Sequence, residues 1–259
     1  MSLIEGSIPL PWWGYIIVIL ILTHITIIAV TVFLHRCQSH GAVELHPVIS
    51  HFFRFWLWFS TAMVTKEWVA IHRKHHACVE TEDDPHSPQV LGLNKVLWWG
   101  AELYRQEYLD NPETLEVYGR RTPDDWLEKY VYGRCYLTYL GIFIDLGVCV
   151  FLFGALGLTI WAMQMVWIPF FGAGVVNGVG HFWGYRNFRC PDASTNIVPF
   201  GIVIGGEELH NNHHAFPGSA KFSVKAWEFD FGWLYIRLLS ALGLARVKRL
   251  STKPCGQPA

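Results

Sequence analysis

The sequence predicts an all-α integral membrane protein with about three transmembrane helices, interfacial helices, and a helical cytoplasmic cap that holds a histidine-rich di-metal site. Three observations predict it. Two stretches are long, apolar and nearly free of charge: Ile8 to Leu34 carries no charged residue, and Tyr136 to Gly184 carries only Asp145. Charged residues make up 16% of the chain, against roughly 25% in a soluble domain. Nine of the 13 histidines fall into three clusters and one lone position, all at the ends of apolar stretches.

The first span is expected over 9–34. It is not a cleaved signal peptide: a positive leading region is missing, the apolar run is too long, and it ends in His35-Arg36 rather than small residues. The stretch 48–71 is also apolar, but it carries His51, Arg54, Lys66 and Glu67, which are costly at bilayer depth. Histidine clusters flank it on both sides. If both feed one site, both ends share a membrane face, so 48–71 is expected to lie in the interface or to re-enter. Spans are then expected over 136–154 and 158–180, joined by a tight turn near Gly154 and Gly157.

The remaining segments, 72–134 and 186–259, read as cytoplasmic. Nearly all Lys and Arg lie in 36–135 and 186–253, and residues 1–35 carry only Glu5. The positive-inside rule then puts the N-terminus out and the C-terminus in. Thr122-Pro123-Asp124-Asp125 predicts a helix start before Trp126–Tyr132. The stretch 227–249 reads as an interfacial helix with a basic end suited to anionic headgroups. Strand patterning is absent. No repeat or linker divides the chain, so one domain over 1–259 is expected. Thirteen Trp and seventeen Phe suit a large interfacial surface. A net charge of −1 gives no hint of nucleic acid. Six cysteines without a CxxC pair argue against a zinc ribbon, an iron–sulfur cluster or a disulfide scaffold.

The clusters are His35-Arg36-Cys37-Gln38-Ser39-His40, His72-Arg73-Lys74-His75-His76 and His210-Asn211-Asn212-His213-His214, with His181 alone. Neutral imidazole is the commonest metal ligand. Helical positions i, i+3 and i+4 share a face, so His72, His75 and His76 can aim at one spot, as can His210, His213 and His214. His35 and His40 lie five apart, about 140° out of alignment on an α-helix. They converge only if the helix bends or ends between them, or if the site holds two metals. Nine ligands are too many for one tetrahedral zinc. They suit two metals with four or five ligands each and open positions for oxygen. Imidazole suits Fe, Cu, Ni and Zn alike; an oxygen-activating iron pair at a lipid interface is the best match.

With Trp68 four residues before the second box and Gly206-Glu207-Glu208 before the third, the chain resembles the membrane fatty acid desaturases of the stearoyl-CoA type, and bacterial delta-9 members in particular. The resemblance runs from about Thr23 to Arg249. Asn177-Gly-Val-Gly-His181-Phe-Trp-Gly-Tyr-Arg186 is similar to that family's NxxxHxxGYR stretch, and Glu80 to Pro88 to its acidic loop. The resemblance implies that His35, His40, His72, His75, His76, His181, His210, His213 and His214 bind two irons, that Asn177 acts through a water, and that Trp68 sits beside the bend of an acyl tunnel. It implies O2 as co-substrate and a cis double bond inserted at carbon 9 of a saturated acyl chain on CoA or a lipid. Aromatic residues at 52–59 and 182–188 are candidate tunnel walls. Better-known animal members have two spans before the first box, and this chain has room for one.

Other residues read more plainly. His24 suits the core, and His46 and His51 the interface. His86 suits capping or hydrogen bonding in the acidic loop. Asp145 suits pairing within the bundle. Glu207 and Glu208 are candidate acceptors behind the ligand imidazoles. Arg73, Lys74 and Arg186 are candidates for the anionic head of an acyl carrier. No HPGG motif or Cys₄ pattern is present, so the electron donor is expected to be separate: a ferredoxin, a rubredoxin, or a cytochrome with its reductase. The short chain suggests a bacterial inner membrane, with the site facing the cytoplasm. A di-iron hydroxylase of alkyl or acyl chains would use the same ligands. A metal transporter is disfavoured, because its spans would need polar residues along a crossing path.

Overall fold

A computed structural model describes residues 6–250 and strand residues 257–258; the ends of the expected 1–259 domain lie outside the described residues. Three helical stretches are long and apolar enough to cross a membrane: Trp12–Ser39, Tyr136–Phe153 and Ala155–His181. The first is helix α1 (Trp12–Ile28), which continues as a π-helical segment over Ala29–Ser39. The first and third stretches run further toward the histidines than the expected 9–34 and 158–180. The added turns carry the first box, from His35 to Ser39, and His181.

The 48–71 stretch is two helices, α2 (Pro47–Thr61) and α3 (Thr65–Cys78), of 15 and 14 residues. Each is too short to cross. Pro47 starts α2 at a position where a missing N–H is harmless, and the His46 ring accepts from the Val48 N–H. The chain breaks at Ala62, which takes a left-handed conformation (φ 55°). Arg54, costly if alone, is buried but forked onto Asp125 at 2.7 Å twice and onto Glu128 at 2.8 Å. Those partners come from the 122–132 region. There the expected helix over 126–132 forms: Trp126 and Leu127 are α-helical and run directly into the π-helical stretch Glu128–Tyr132.

Helix α4 (Leu93–Asp110) covers the lower third stretch. Helices α5 (Cys135–Phe153) and α6 (Ala155–Trp167) form an antiparallel pair turned at Gly154, whose φ of 62° favours glycine. From α6 the chain runs on through a π-helical segment, Ile168–Val176, and a last tight turn to His181.

The C-terminal part holds α7 (His210–Ala215) and α8 (Phe231–Ala241). The helix expected over 227–249 covers only its middle. Asp230 caps its start through the Trp233 N–H, and after Ala241 the chain leaves the helix. It continues as strand β5 (Ala245–Val247), which pairs antiparallel with β1 (Val43–Leu45), Val43 opposite Val247. Strands β2 (Phe188–Arg189) and β6 (Gln257–Pro258) pair antiparallel, and β3 (Phe200–Gly201) and β4 (Phe229–Asp230) pair parallel. Strands of two or three residues are too short to show a period of two, which is why the sequence does not reveal them.

One buried ion pair locks this half together. Arg36, fully buried, forks onto Asp230 at 2.8 and 3.2 Å, donates to the carbonyls of Ala220 and Gly205, and lies 3.8 Å over the Phe222 ring. Gly206 (φ 102°) lets the chain pass against this pair, where a Cβ would collide with Asp230 and Arg36.

Arg54→Ala leaves the carboxylate of Glu128 buried without its cation. Removing one partner of a buried pair costs about 3 kcal/mol or more. The melting temperature in detergent is expected to fall by several degrees. Glu44→Ala removes the exposed Glu44–Arg246 pair, and should change it by a degree or less. Equal shifts for the two variants would contradict the assignment.

Candidate metal centre

The first box lies where α1 has become π-helical. Hydrogen bonds from i+5 to i stack residues five apart. The His40 N–H donates to the His35 carbonyl at 3.1 Å, and the two rings sit 4.9 Å apart. The 140° mismatch expected for an α-helix is removed by changing the helix, without a bend.

The boxes do not each aim at one spot; they are divided between two clusters. His35, His40, His72, His76 and His213 form one; His75, His181, His210 and His214 form the other. Within each, the nearest ring nitrogens all lie within 4.8 Å of one another, a grouping able to hold a metal ion. Along α3, His72 and His76 serve the first cluster while His75 serves the second. Along α7, His213 serves the first, and His210 and His214 the second. Positions i+3 and i+4 differ by about 100° around a helix, so one box can feed two neighbouring sites.

The Nε2 atoms face one another. His35 and His213 are 3.0 Å apart, His40 and His72 2.9 Å, His76 and His213 2.9 Å, and His181 and His210 3.0 Å. Two nitrogens each about 2.1 Å from a shared ion, at right angles, lie about 3.0 Å apart. The Nε2 of His75 is buried with no hydrogen-bond partner among the described residues. These observations fit a metal at each cluster. Burial holds His40 down to about 3, and holds His72, His76, His210, His213 and His214 well below the ordinary histidine value, helped by neighbouring imidazoles and, for His40, by Arg73. At neutral pH these rings are neutral, the form that ligates.

Carboxylates hold four rings from behind. His35 Nδ1 is 2.7 Å from Glu207, His75 Nδ1 2.9 Å from Asp84, His214 Nδ1 3.0 Å from Asp192, and His181 Nδ1 3.3 Å from Glu80. Burial pushes Glu207 up to about 8 against the pull of Arg36. Burial alone would raise Asp84 too. The hydrogen bond and charge of His75 override it and hold that carboxyl well below its usual range. Glu208, by contrast, turns away and accepts from the Ile204 and Gly206 N–H groups. Its role is to shape the loop before the third box.

Three cations expected at a carrier head have other partners. Arg73 donates to the carbonyls of Gln38, Ser39, Tyr118 and Arg120; Lys74 pairs with Glu107 at 2.7 Å; Arg186 donates to the carbonyls of Phe188, Cys190 and Asp192. They tie loops to the site. The asparagines inside the third box do the same. Asn211 accepts from the N–H groups of Asn187 and Phe188, and Asn212 donates to Glu228.

His86 is more central than a loop cap. It is fully buried, stacked between His75 (centroids 4.4 Å) and Tyr104 (5.1 Å), and its backbone N–H donates to Asp84. The spacing Asp84-Pro-His86 is the only sequence signal for this. Glu80 carried only the resemblance of its acidic loop and Asp192 carried none, since their partners are distant in the chain.

A cavity of about 210 Å³ opens beside the clusters. His35, His72, His210 and Asn177 form one part of its wall; the rest is mostly apolar, with Ile27, Val30, Ile168 and Val176. Trp68 lines it while stacking on His72 at 5.0 Å. The Asn177 amide reaches Tyr104 Oη at 3.5 Å.

The profile of the fatty acid desaturase family matches residues 10–242. The chain belongs to the fatty acid desaturase family. It is similar to Delta-9 acyl-lipid desaturase 1 of Arabidopsis thaliana, 29% identical over 93% of this chain and 77% of that protein. It is 31% identical to the sn-1 stearoyl-lipid 9-desaturase of Anabaena variabilis, over 93% and 86%. It is 32% identical to the Icosanoyl-CoA 5-desaturase of Limnanthes douglasii, over 88% of this chain and 62% of that longer protein. The enzyme is therefore an oxidoreductase acting on acyl chains.

Asp84→Ala removes the acceptor that orients His75. Loss of such a partner typically lowers metal affinity 10–100-fold. In a titration of metal-stripped protein with Fe(II), one of two binding steps is expected to weaken by that factor. Two unchanged steps would refute the role.

Proposed function

We propose that this desaturase inserts a cis double bond at carbon 9 of a saturated acyl chain, using O2 and a non-haem di-iron centre. The observation that carries the reading is the juxtaposition of two all-histidine clusters with one mostly apolar cavity. In this reading His35, His40, His72, His76 and His213 hold one iron; His75, His181, His210 and His214 hold the other, with Asn177 acting through a water. Bound iron supplies oxygen activation and the oxidising power to take two hydrogens from adjacent methylenes. The overall balance is an acyl chain, O2, two electrons and two protons giving a monoene and two waters. The electrons come from a separate ferredoxin, rubredoxin or cytochrome.

The chain's own residues do the positioning. The apolar walls bind methylenes and exclude water. Trp68, packed on His72, narrows the passage beside the first cluster. Glu207, Asp84, Asp192 and Glu80 hold the imidazoles in register. The choice of carbon 9 follows the 9-desaturases among the relatives, while the relative named as a 5-desaturase implies that depth of insertion sets the position on a shared frame. Acyl-lipid and acyl-CoA names among the relatives support both carriers. The charge distribution supports a site on the cytoplasmic face; the reading further takes the chain as one desaturase domain in a bacterial inner membrane.

Expression in a bacterium lacking the activity, followed by gas chromatography–mass spectrometry of total fatty acids, tests this. A cis-9 monoene is expected, lost at least a hundredfold in His75→Ala. A hydroxylated chain would move the enzyme to the hydroxylases, and a double bond elsewhere would overturn carbon 9.

A further inference from the structure

Residues 186–259 read as cytoplasmic in the sequence, yet part of this segment packs against the first span well before its histidine end. Helix α1 rises about 22 Å from Trp12 to Ile27, less than the roughly 30 Å of a bilayer's hydrocarbon. Trp12 is an exposed aromatic of the kind found at the opposite interface, so Ile27 lies inside the apolar layer. The loop before the third box reaches that level. A Cβ on Gly205 would lie 2.9 Å from the side chains of Ile27 and Thr31, and Thr31 Oγ1 donates to the Gly205 carbonyl at 3.3 Å. Further along the span, His24 meets the ring of Phe231 at 5.0 Å, and Phe231 meets Phe229 at 5.6 Å.

This loop presents an apolar face left uncovered among the described residues. No charged residue lies from Ala193 to Gly206. Phe200, Ile202 and Val203 are 59%, 50% and 49% exposed, and Trp227 is 55% exposed. The pairing of β3 with β4 sets Phe200 opposite Phe229, which is exposed as well. Lipid accepts an irregular segment only where the backbone is satisfied from within, and here the loop turns its amides inward. The Ile197 N–H donates to the Glu208 carbonyl, and the Ile204 and Gly206 N–H groups donate to the Glu208 carboxylate. Ile202 donates to the Phe200 carbonyl, the Pro199 carbonyl accepts from Phe229, and proline itself has no N–H. Side chains are what the loop shows to the outside. Lys225, exposed two residues before Trp227, stands at the margin, where a long ammonium side chain reaches headgroups.

We infer that this face is a second lipid contact, separate from the spans: Phe200, Ile202, Val203, Trp227 and Phe229 rest in the hydrocarbon edge of the leaflet on the side of the histidines. Lipid rather than protein is the occupant because the face is continuous with the first span through Phe229, Phe231 and His24, and because Gly205 lies at the depth of Ile27. The contact bears on the site. Val203 is exposed, whereas Ile204 beside it is buried and lines the cavity. Three residues further on, Glu207 holds His35. The loop therefore stands between bilayer and cavity, and lipid on its outer face steadies the segment that carries Glu207.

The test uses the wild-type protein in phospholipid vesicles, photolabelled with an apolar diazirine confined to the bilayer, with labelled peptides mapped by mass spectrometry. Labelling over 198–203 and 227–229 is expected to match that of Ile16–Ile21 in the first span, and to exceed that of the exposed helix Glu113–Val117 roughly fivefold or more. Labelling no higher than in Glu113–Val117 overturns the inference, whether water or protein covers the face. A photoreactive p-benzoylphenylalanine introduced at Ile202 identifies the neighbour directly. Phospholipid adducts are expected, and adducts to a second copy of the chain or to another protein overturn the inference. Neither result touches the desaturase reading, which stands or falls on the product formed.

Discussion

The site depends on carboxylates that hold imidazole rings from behind. Nine rings are packed into two groups, and within them four pairs of Nε2 atoms meet at about hydrogen-bond distance. Left to themselves, such rings would turn to satisfy either nitrogen elsewhere. A carboxylate on Nδ1 removes that freedom: it fixes the tautomer with Nδ1–H outward and presents the Nε2 lone pair inward. Four rings are held this way, and the four carboxylates come from three places: Glu80 and Asp84 in the loop after α3, Asp192 after β2, and Glu207 before α7. The loops are thus parts of the centre as much as the helices that carry the ligands. This explains why Arg73, Arg186, Asn211 and Asn212 are tied to backbone and loop partners beside the ligands.

The membrane stretches supply the other half. Burial keeps the imidazoles neutral, and only apolar helices extended past the bilayer can bury so many polar rings. The π-helical segments follow from that demand. One lets His35 and His40 point the same way; the other carries the third stretch from the bundle up to Asn177 and His181. Arg36, between the two ligands of the first box, is clamped by Asp230, so the end of the first span is locked to the segment before α8. A charge in that position is tolerated because every strong donor direction but Nε has an acceptor.

Much of this was legible in the sequence, for separable reasons. The spans were legible because charge is excluded from the bilayer, so Ile8–Leu34 and Tyr136–Gly184 stand out by composition alone. The histidine clusters were legible because histidines at i, i+3 and i+4 have few other uses in such numbers. The division of each box between two clusters was not, because a helical wheel describes one helix and the division is decided by what stands opposite. The π-helix was not legible either, although the five-residue spacing of His35 and His40 carried its signature. Glu207 could be proposed from its place beside the third box. Asp192 could not: its contact with His214 spans 22 residues of irregular chain. The basic residues Arg73 and Arg186 misled for a related reason. A cation near a membrane face suggests an anionic ligand, and only the fold reveals that backbone carbonyls already surround it.

The same constraint governs the cavity. A dry, apolar passage beside polar rings costs less where polar groups on its wall are turned to a partner. His35 is backed by Glu207, His72 is covered by Trp68, and Asn177 reaches toward Tyr104. Chemistry at one carbon pair of a featureless alkyl chain cannot be directed by hydrogen bonds to that pair, since methylenes offer none. Position must be set by distance from the two chain ends. In the proposed function the histidine clusters fix where hydrogen is removed, and the walls between them and the far end fix how much chain lies beyond. A desaturase of this architecture thus separates reactivity from regiochemistry: the first is held by histidines and their carboxylates, the second by side chains well away from them, on the membrane stretches that form the passage.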